Sequence, residues 1–156
     1  MKRQKFIQQC CFWGLIVDCN LKYNIHINNI CKKISKSIGI LYKIRDLVPK
    51  SCLLTIYYSF IYPYFLYCIP IWGSTYKTHL NPLIVLQKRA VRLINNSTFL
   101  EHTNALFRSS KLLKLEYIYT FTIALYMYKN IQFFDFNRLH FHNTRNRNEW
   151  FLVFEY

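Results

Sequence analysis

The chain has 156 residues, 53% of them hydrophobic and 19% aromatic, with a formal net charge of +14. That length and composition fit one folded domain and argue against a disordered chain. Three glycines and four prolines leave too few turns for a strand-rich fold, so long helices are expected.

The charge is uneven: ten Lys/Arg against two acids in residues 1–50, four against none in 51–100, and seven against five in 101–156. A basic excess in the first hundred residues implies a polyanionic partner, nucleic acid or anionic lipid. The six cysteines show no Cys-x-x-Cys and no Cys/His spacing of the zinc type, so they are read as reduced thiols of an intracellular protein. The basic start, residues 1–5, precedes an apolar run too short and too polar for a signal core.

In chain order, Lys5-Phe6-Ile7 and Cys11-Phe12-Trp13 are expected as short strands, and Leu15-Ile16-Val17 as a β-branched run ending at Asp18. Gly14 marks a bulge or a close backbone approach to a ligand. Ile27, Ile30, Ile34, Ile38, Leu41, Ile44 and Val48 recur at three- or four-residue steps, which predicts an amphipathic helix of about six turns. Lys32, Lys33, Lys36, Lys43 and Arg45 fall on its other faces, against the single acid Asp46. The lone His26 is read as a contact at the helix start.

Residues 51–76 contain no Lys, Arg, Asp, Glu or His and are closed by Lys50 and Lys77. From Cys52 to Trp72 the stretch is long enough to cross a bilayer, which takes about 20 residues. Tyr57, Tyr58, Tyr62, Tyr64 and Tyr67 oppose that reading, because each must find a hydrogen bond or lose solvation in hydrocarbon. The expectation is a core helix, opened by Val48-Pro49-Lys50-Ser51 and kinked at Pro63. Leu53, Ile56, Tyr57, Phe60 and Ile61 form its apolar face. A membrane span over 52–72 is the alternative.

Residues 78–95 predict the next helix, with Leu80, Leu83, Leu86, Ala90, Leu93 and Ile94 as its stripe, Thr78 as N-cap and Pro82 near the start. Lys88, Arg89 and Arg92 lie on its polar side. Residues 118–129 predict a last helix, apolar on several faces and hence largely buried. His140 and His142 lack a nearby carboxylate or cysteine, so no metal site is assigned.

Several of these stretches resemble one family. Phe12-Trp13-Gly14-Leu15-Ile16-Val17-Asp18 is similar to Phe-Leu-Gly-Val-x-x-Asp, with Trp13 where Leu is usual. Leu21-Lys22-Tyr23 through His26-Ile27 resembles Leu-x-Trp-x-x-His-Ile. The run from Leu53 to Cys68, followed by Trp72-Gly73, resembles a Leu-Tyr-x-Ser-x-x-x-Pro-x-Leu-x-Tyr pattern that precedes Trp-Gly. Leu86-Gln87-Lys88-Arg89-Ala90-Val91-Arg92-Leu93-Ile94 matches Leu-Gln-Lys-Arg-Ala-x-Arg-x-Ile almost letter for letter. Leu106-Phe107, Leu112-Leu113-Lys114-Leu115 and His140 to Arg145 continue the series. The family is the LINE-type, jockey-like reverse transcriptases of non-LTR retrotransposons.

The resemblance covers roughly residues 5–147 and implies the primer-grip, thumb and post-thumb part of such an enzyme. The fold expected is mainly α, a short N-terminal β-hairpin followed by a thumb-like bundle of three to four helices, and the resemblance divides it into a primer-grip remnant (1–20, with Phe12, Trp13 and Gly14), a helical thumb-like domain (21–97) and a helical post-thumb region (98–156). Lys32, Lys33, Lys36, Lys88, Arg89 and Arg92 would lie along the phosphates of an RNA- and DNA-containing template–primer. Polymerisation needs two neighbouring aspartates holding Mg²⁺, whereas Asp18, Asp46 and Asp135 are scattered. The chain is therefore expected to be a non-catalytic fragment with no cofactor of its own. Its partners would be template–primer and the missing palm and fingers, in cytoplasm or nucleus and away from membranes. Met1 points to a truncated or decayed element or a mis-split gene. A free-standing RNA- or DNA-binding module is the other alternative.

Overall fold

In a computed structural model, residues 9–98 and 100–131 are described. The expected strand Lys5-Phe6-Ile7 and the pair His140 and His142 lie outside them. The chain opens with an antiparallel hairpin, β1 (Gln9–Phe12) and β2 (Leu15–Asp18), in the register Phe12↔Leu15 and Gln9↔Asp18. Trp13, expected in a strand from the sequence pattern, lies outside it, since β1 ends at Phe12. With Gly14 it forms the two-residue turn, and both have positive φ, 50° and 86°. Two-residue hairpin loops favour that geometry because its twist matches the strands. Gly14 adopts it freely, whereas Trp13 does so at a steric cost.

Helix α1 (Asn24–Ile44) buries His26, Ile27, Ile30, Ile34, Ile38 and Leu41, the predicted stripe plus the histidine. It stops before Val48, which precedes Pro49 and is thereby steered out of helical geometry. Pro49 is extended and Lys50 opens α2 (Lys50–Phe60). The central stretch is then not one kinked helix but three: α2, α3 (Tyr62–Leu66) and α4 (Ile69–Trp72). Pro63 and Pro70 each sit in the first turn of a new helix, where a missing N–H costs nothing. Cys68, at φ 53°, turns the chain between α3 and α4.

Despite two breaks, one line of side chains stays buried. Leu53, Tyr57, Ile61, Phe65, Ile69 and Trp72 are all at most 3% exposed, in one core with Ile34, Ile38 and Leu41 of α1. Among the described residues no helix is long and apolar enough to cross a membrane.

Helix α5 (Lys77–Ile94) follows, then α6 (Thr103–Ser109) and α7 (Leu115–Lys129). Tyr76, not Thr78, precedes the first turn of α5, and Pro82 lies inside it. α5 packs most extensively on α1. The Thr75 hydroxyl donates to the Lys22 carbonyl at 2.9 Å, and the Lys50 ammonium to Asn95 Oδ1 at 2.7 Å. These two bonds tie starts to starts and ends to ends, so α1 and α5 run side by side in the same direction.

The last helix departs from expectation. α7 is not largely buried: only Leu115 and Ile118 are, while Tyr117, Phe121, Leu125, Tyr126 and Tyr128 are exposed. It touches α3, α4 and α5 along one narrow seam, and an apolar helix packed along one seam leaves its other faces in water.

Candidate nucleic-acid interface

The basic residues of α1 follow from its periodicity. With Ile34, Ile38 and Leu41 turned inward, Lys32, Lys33 and Lys36 are left exposed. The Lys33 ammonium lies 5.6 Å from the centre of the Tyr64 ring of α3. One turn further, the Ser37 hydroxyl donates to the Phe60 carbonyl at 3.3 Å. The α1 ridge is therefore flanked by the α2–α3 junction. Charge along it is one-sided, since no Asp or Glu occurs from residue 19 to 45 or from 47 to 100.

The α5 residues divide by role. Lys88 and Arg89 are exposed. Arg92 is half-buried, and its guanidinium donates twice to the Glu101 carbonyl, from Nε at 3.3 Å and from a terminal nitrogen at 3.2 Å. It clips the loop between α5 and α6. Lys88 lies beside Lys114, Asn104 and Phe107 around a cavity of about 120 Å³. That is below the ~300–1,000 Å³ of a small-ligand pocket. The α1 set thus borders α3, while Lys88 and Arg92 border α6 and the start of α7.

Sequence reading missed the polar centre of this arrangement, Gln87. It is 1% exposed. Its Nε2 donates to the Tyr57 hydroxyl at 3.1 Å and to the Leu113 carbonyl at 2.9 Å, and its Oε1 accepts from the Leu115 amide at 2.9 Å. One side chain thereby joins α2, α5 and the first turn of α7. Burial pushes the Tyr57 phenol well above the ordinary tyrosine range, against the opposing effect of the Gln87 bond. A buried glutamine at the helical spacing of a core stripe is the available signal.

Trp72 and Gly73 are also structural. The Trp72 indole is fully buried and donates to the Tyr67 carbonyl at 2.7 Å. A Cβ on Gly73 would stand 2.5 Å from Cδ2 of Tyr119 and 2.6 Å from the Ile69 carbonyl oxygen. Glycine here lets α7 approach α4.

At the hairpin tip, Trp13 is 83% exposed and Gly14 is open. The Phe12 side chain lies outside the described residues. The Tyr67 hydroxyl donates to the Trp13 carbonyl and anchors the turn to the end of α3. The Asp18 carboxylate accepts from the backbone amides of Tyr23 at 2.8 Å and Lys22 at 3.2 Å. Burial opposes its ionisation, but those bonds outweigh it and hold its pKa below the ordinary value. His26 is the helix-start contact expected of it. Its Nδ1 accepts from the Ile16 amide at 3.3 Å, and its ring meets Trp72 edge-on at 6.1 Å. Burial, and secondarily the Lys33 charge, lower its pKa.

Asp135 lies outside the described residues, and neither described aspartate has a second carboxylate beside it that would complete a Mg²⁺ pair. Asp18 is committed to a turn, and the Asp46 carboxylate pairs with Arg45 at 3.4 Å. Among the described residues no group of three His, Cys, Asp or Glu side chains can hold a metal.

The chain is 26% identical over 107 residues to the RNA-directed DNA polymerase from mobile element jockey of Drosophila melanogaster, a match covering 67% of this chain and 12% of that protein. No protein-family model matches the chain. No solved structure matches it. The similarity to a non-LTR retrotransposon reverse transcriptase is thus distant and partial.

Proposed function

We propose that this chain is the thumb-like, non-catalytic part of a jockey-like reverse transcriptase and grips the sugar–phosphate backbone of an RNA- and DNA-containing template–primer. The observation that carries this reading is the 107-residue match to a jockey polymerase. Supporting it, α1 and α5 present Lys32, Lys33, Lys36, Lys88 and Arg89 on a stretch with a single acid, Asp46, between residues 19 and 100. Such contacts are sequence-blind and electrostatic. A shallow A-like minor groove suits a helix that tracks shape. On this reading polymerisation is carried out by a palm outside this chain, whose Mg²⁺ its own residues do not hold. The site of action is the cytoplasm or nucleus, and the hairpin tip at Phe12, Trp13 and Gly14 lies against the primer.

The test is the salt dependence of binding to a short RNA–DNA duplex. With ~4–6 phosphates neutralised, the slope of log affinity against log salt is roughly −4 to −5. Lys88→Ala with Arg89→Ala removes two of those charges and flattens the slope by about 2. Arg92 is left intact because it holds the α5–α6 loop. The control is Lys22→Ala with Lys129→Ala, since Lys114 borders Lys88 and would be a poor comparison. Equal flattening by both pairs would reduce the binding to net charge alone.

A further inference from the structure

Phe60 falls on the apolar stripe of α2, yet its fate differs from that of its neighbours. Leu53, Tyr57 and Ile61 are at most 3% exposed, whereas Phe60 is 56% exposed. α2 ends there, and the chain turns into α3 before any element covers the ring. What lies beside it is basic. The Phe60 carbonyl accepts from Ser37, which stands one turn after Lys33 on the same ridge of α1, and Lys36 stands one turn after Lys33 on the neighbouring ridge. Lys33 in turn lies over the Tyr64 ring. From Lys50 to Ile94 the helices α2 to α5 contain no acidic residue, and neither does α1.

An exposed aromatic residue whose backbone rests on a lysine-bearing helix offers the two features that bind single-stranded nucleic acid, a free π-face and nearby positive charge. Cations track the phosphates, and a base stacks on the ring whatever its identity. A protein partner of matching shape would need acids to answer Lys33 and Lys36 and would gain nothing specific from a flat π-face. A duplex has no unstacked base to offer. We infer that the α1–α2–α3 junction is a binding site for an unpaired nucleic-acid strand, with a base on Phe60 and the flanking phosphates on Lys33 and Lys36. This rests on the proposed polyanion-binding role and adds to it a place where a strand leaves the duplex.

The experiment compares a fluorescein-labelled twelve-nucleotide uridine strand with a blunt RNA–DNA duplex, using the full chain. Phe60→Leu keeps the apolar volume but removes the π-face. It should weaken the single strand by about 5- to 100-fold while leaving duplex affinity and the salt slope unchanged. Lys33→Gln with Lys36→Gln should flatten the single-strand slope. A second reporter, Phe60→Trp, should lose more indole fluorescence than the wild type, whose own three tryptophans set the background, when the strand binds and not when a strand of abasic sugar phosphates does. Wild-type binding to both ligands, with Phe60→Leu indistinguishable from it, would overturn the site and leave the backbone-gripping reading standing. Absence of salt-dependent wild-type binding to either ligand would overturn both. Quenching of Phe60→Trp by the abasic strand would show that no base stacks there.

Discussion

Gln87→Leu should be among the most destabilising single changes in this chain, although leucine is apolar and near glutamine in size. The substitution strands three groups at once. The Leu115 amide and the Tyr57 hydroxyl are buried and lose their partner in this network, while the Leu113 carbonyl is only partly buried. A buried group left unsatisfied costs about 1–3 kcal/mol. Two such groups, with a smaller loss at Leu113 and some return from the added apolar surface, give roughly 2–4 kcal/mol. Domains are stable by only about 5–15 kcal/mol, so the loss is a large fraction of the whole. In a chain of this length it corresponds to a Tm lower by about 6–12 °C. The assay is urea unfolding followed by circular dichroism at 222 nm, where the midpoint should fall without a change in slope. Tyr57→Phe removes only the hydroxyl and leaves Gln87 bonded to Leu113, so its cost should be about 0.5–1.5 kcal/mol. The double variant should cost less than the two singles added, because the Leu variant no longer has a bond for Tyr57 to lose. A Gln87→Leu protein as stable as wild type would refute the argument that this side chain joins three helices.

Gly73→Ala should lower the Tm by several degrees, from an overpacking cost of about 1–3 kcal/mol, because its Cβ meets both the Tyr119 ring and the fixed carbonyl of Ile69; thermal scans with and without Tyr119→Leu check this, and the second change should recover only part of the loss. The folded-state pKa of His26 is depressed, so its contribution is complete above the ordinary histidine value of about 6.5 and is lost as pH falls below it. Urea midpoints between pH 7.5 and 5 should therefore fall more steeply for wild type than for His26→Gln, and equal slopes would show that the histidine is not held neutral.

Much of the fold was legible because one physical rule, apolar residues at helical steps, governs α1 and α5 over five turns or more. Leu53, Tyr57 and Ile61 of the central stretch were legible in the same way, whereas Ile56 and Phe60 of the same expected face are half-buried and exposed, and the continuation to Trp72 shows only in the structure. What the periodicity could not give was the breaks themselves. A proline in mid-segment predicts either a kink or a fresh start, and the choice falls to Cys68 and Ile61, whose dihedral angles depend on what they pack against. The exposure of α7 was hidden for a related reason. An all-apolar helix reads as buried, but burial depends on how many neighbours reach it, and that is a property of the other helices. Trp13 was misplaced by one position because an aromatic residue favours strands, while the turn was fixed by Gly14 and the register beyond it.

The site was legible in composition and less so in role. Leu86-Gln87-Lys88-Arg89-Ala90-Val91-Arg92 carries the strongest resemblance to the jockey-like enzymes, yet most of it faces the fold. Gln87 and Ala90 are buried, and Arg92 holds the loop before α6. Only Lys88 and Arg89 of that run stand exposed. Trp72 and Gly73, the next most specific pair, fill the α4–α7 contact. A likeness concentrated in such positions argues chiefly for a common way of packing helices. What adds to that likeness, for the proposed ligand, is a set of exposed basic residues that no packing requirement placed there, on α1 and at Lys88 and Arg89. A variant meant to probe ligand binding must therefore be drawn from those exposed residues, because changing Gln87, Trp72, Gly73 or Arg92 would lower binding by loosening the fold even if none of them ever touched a nucleic acid.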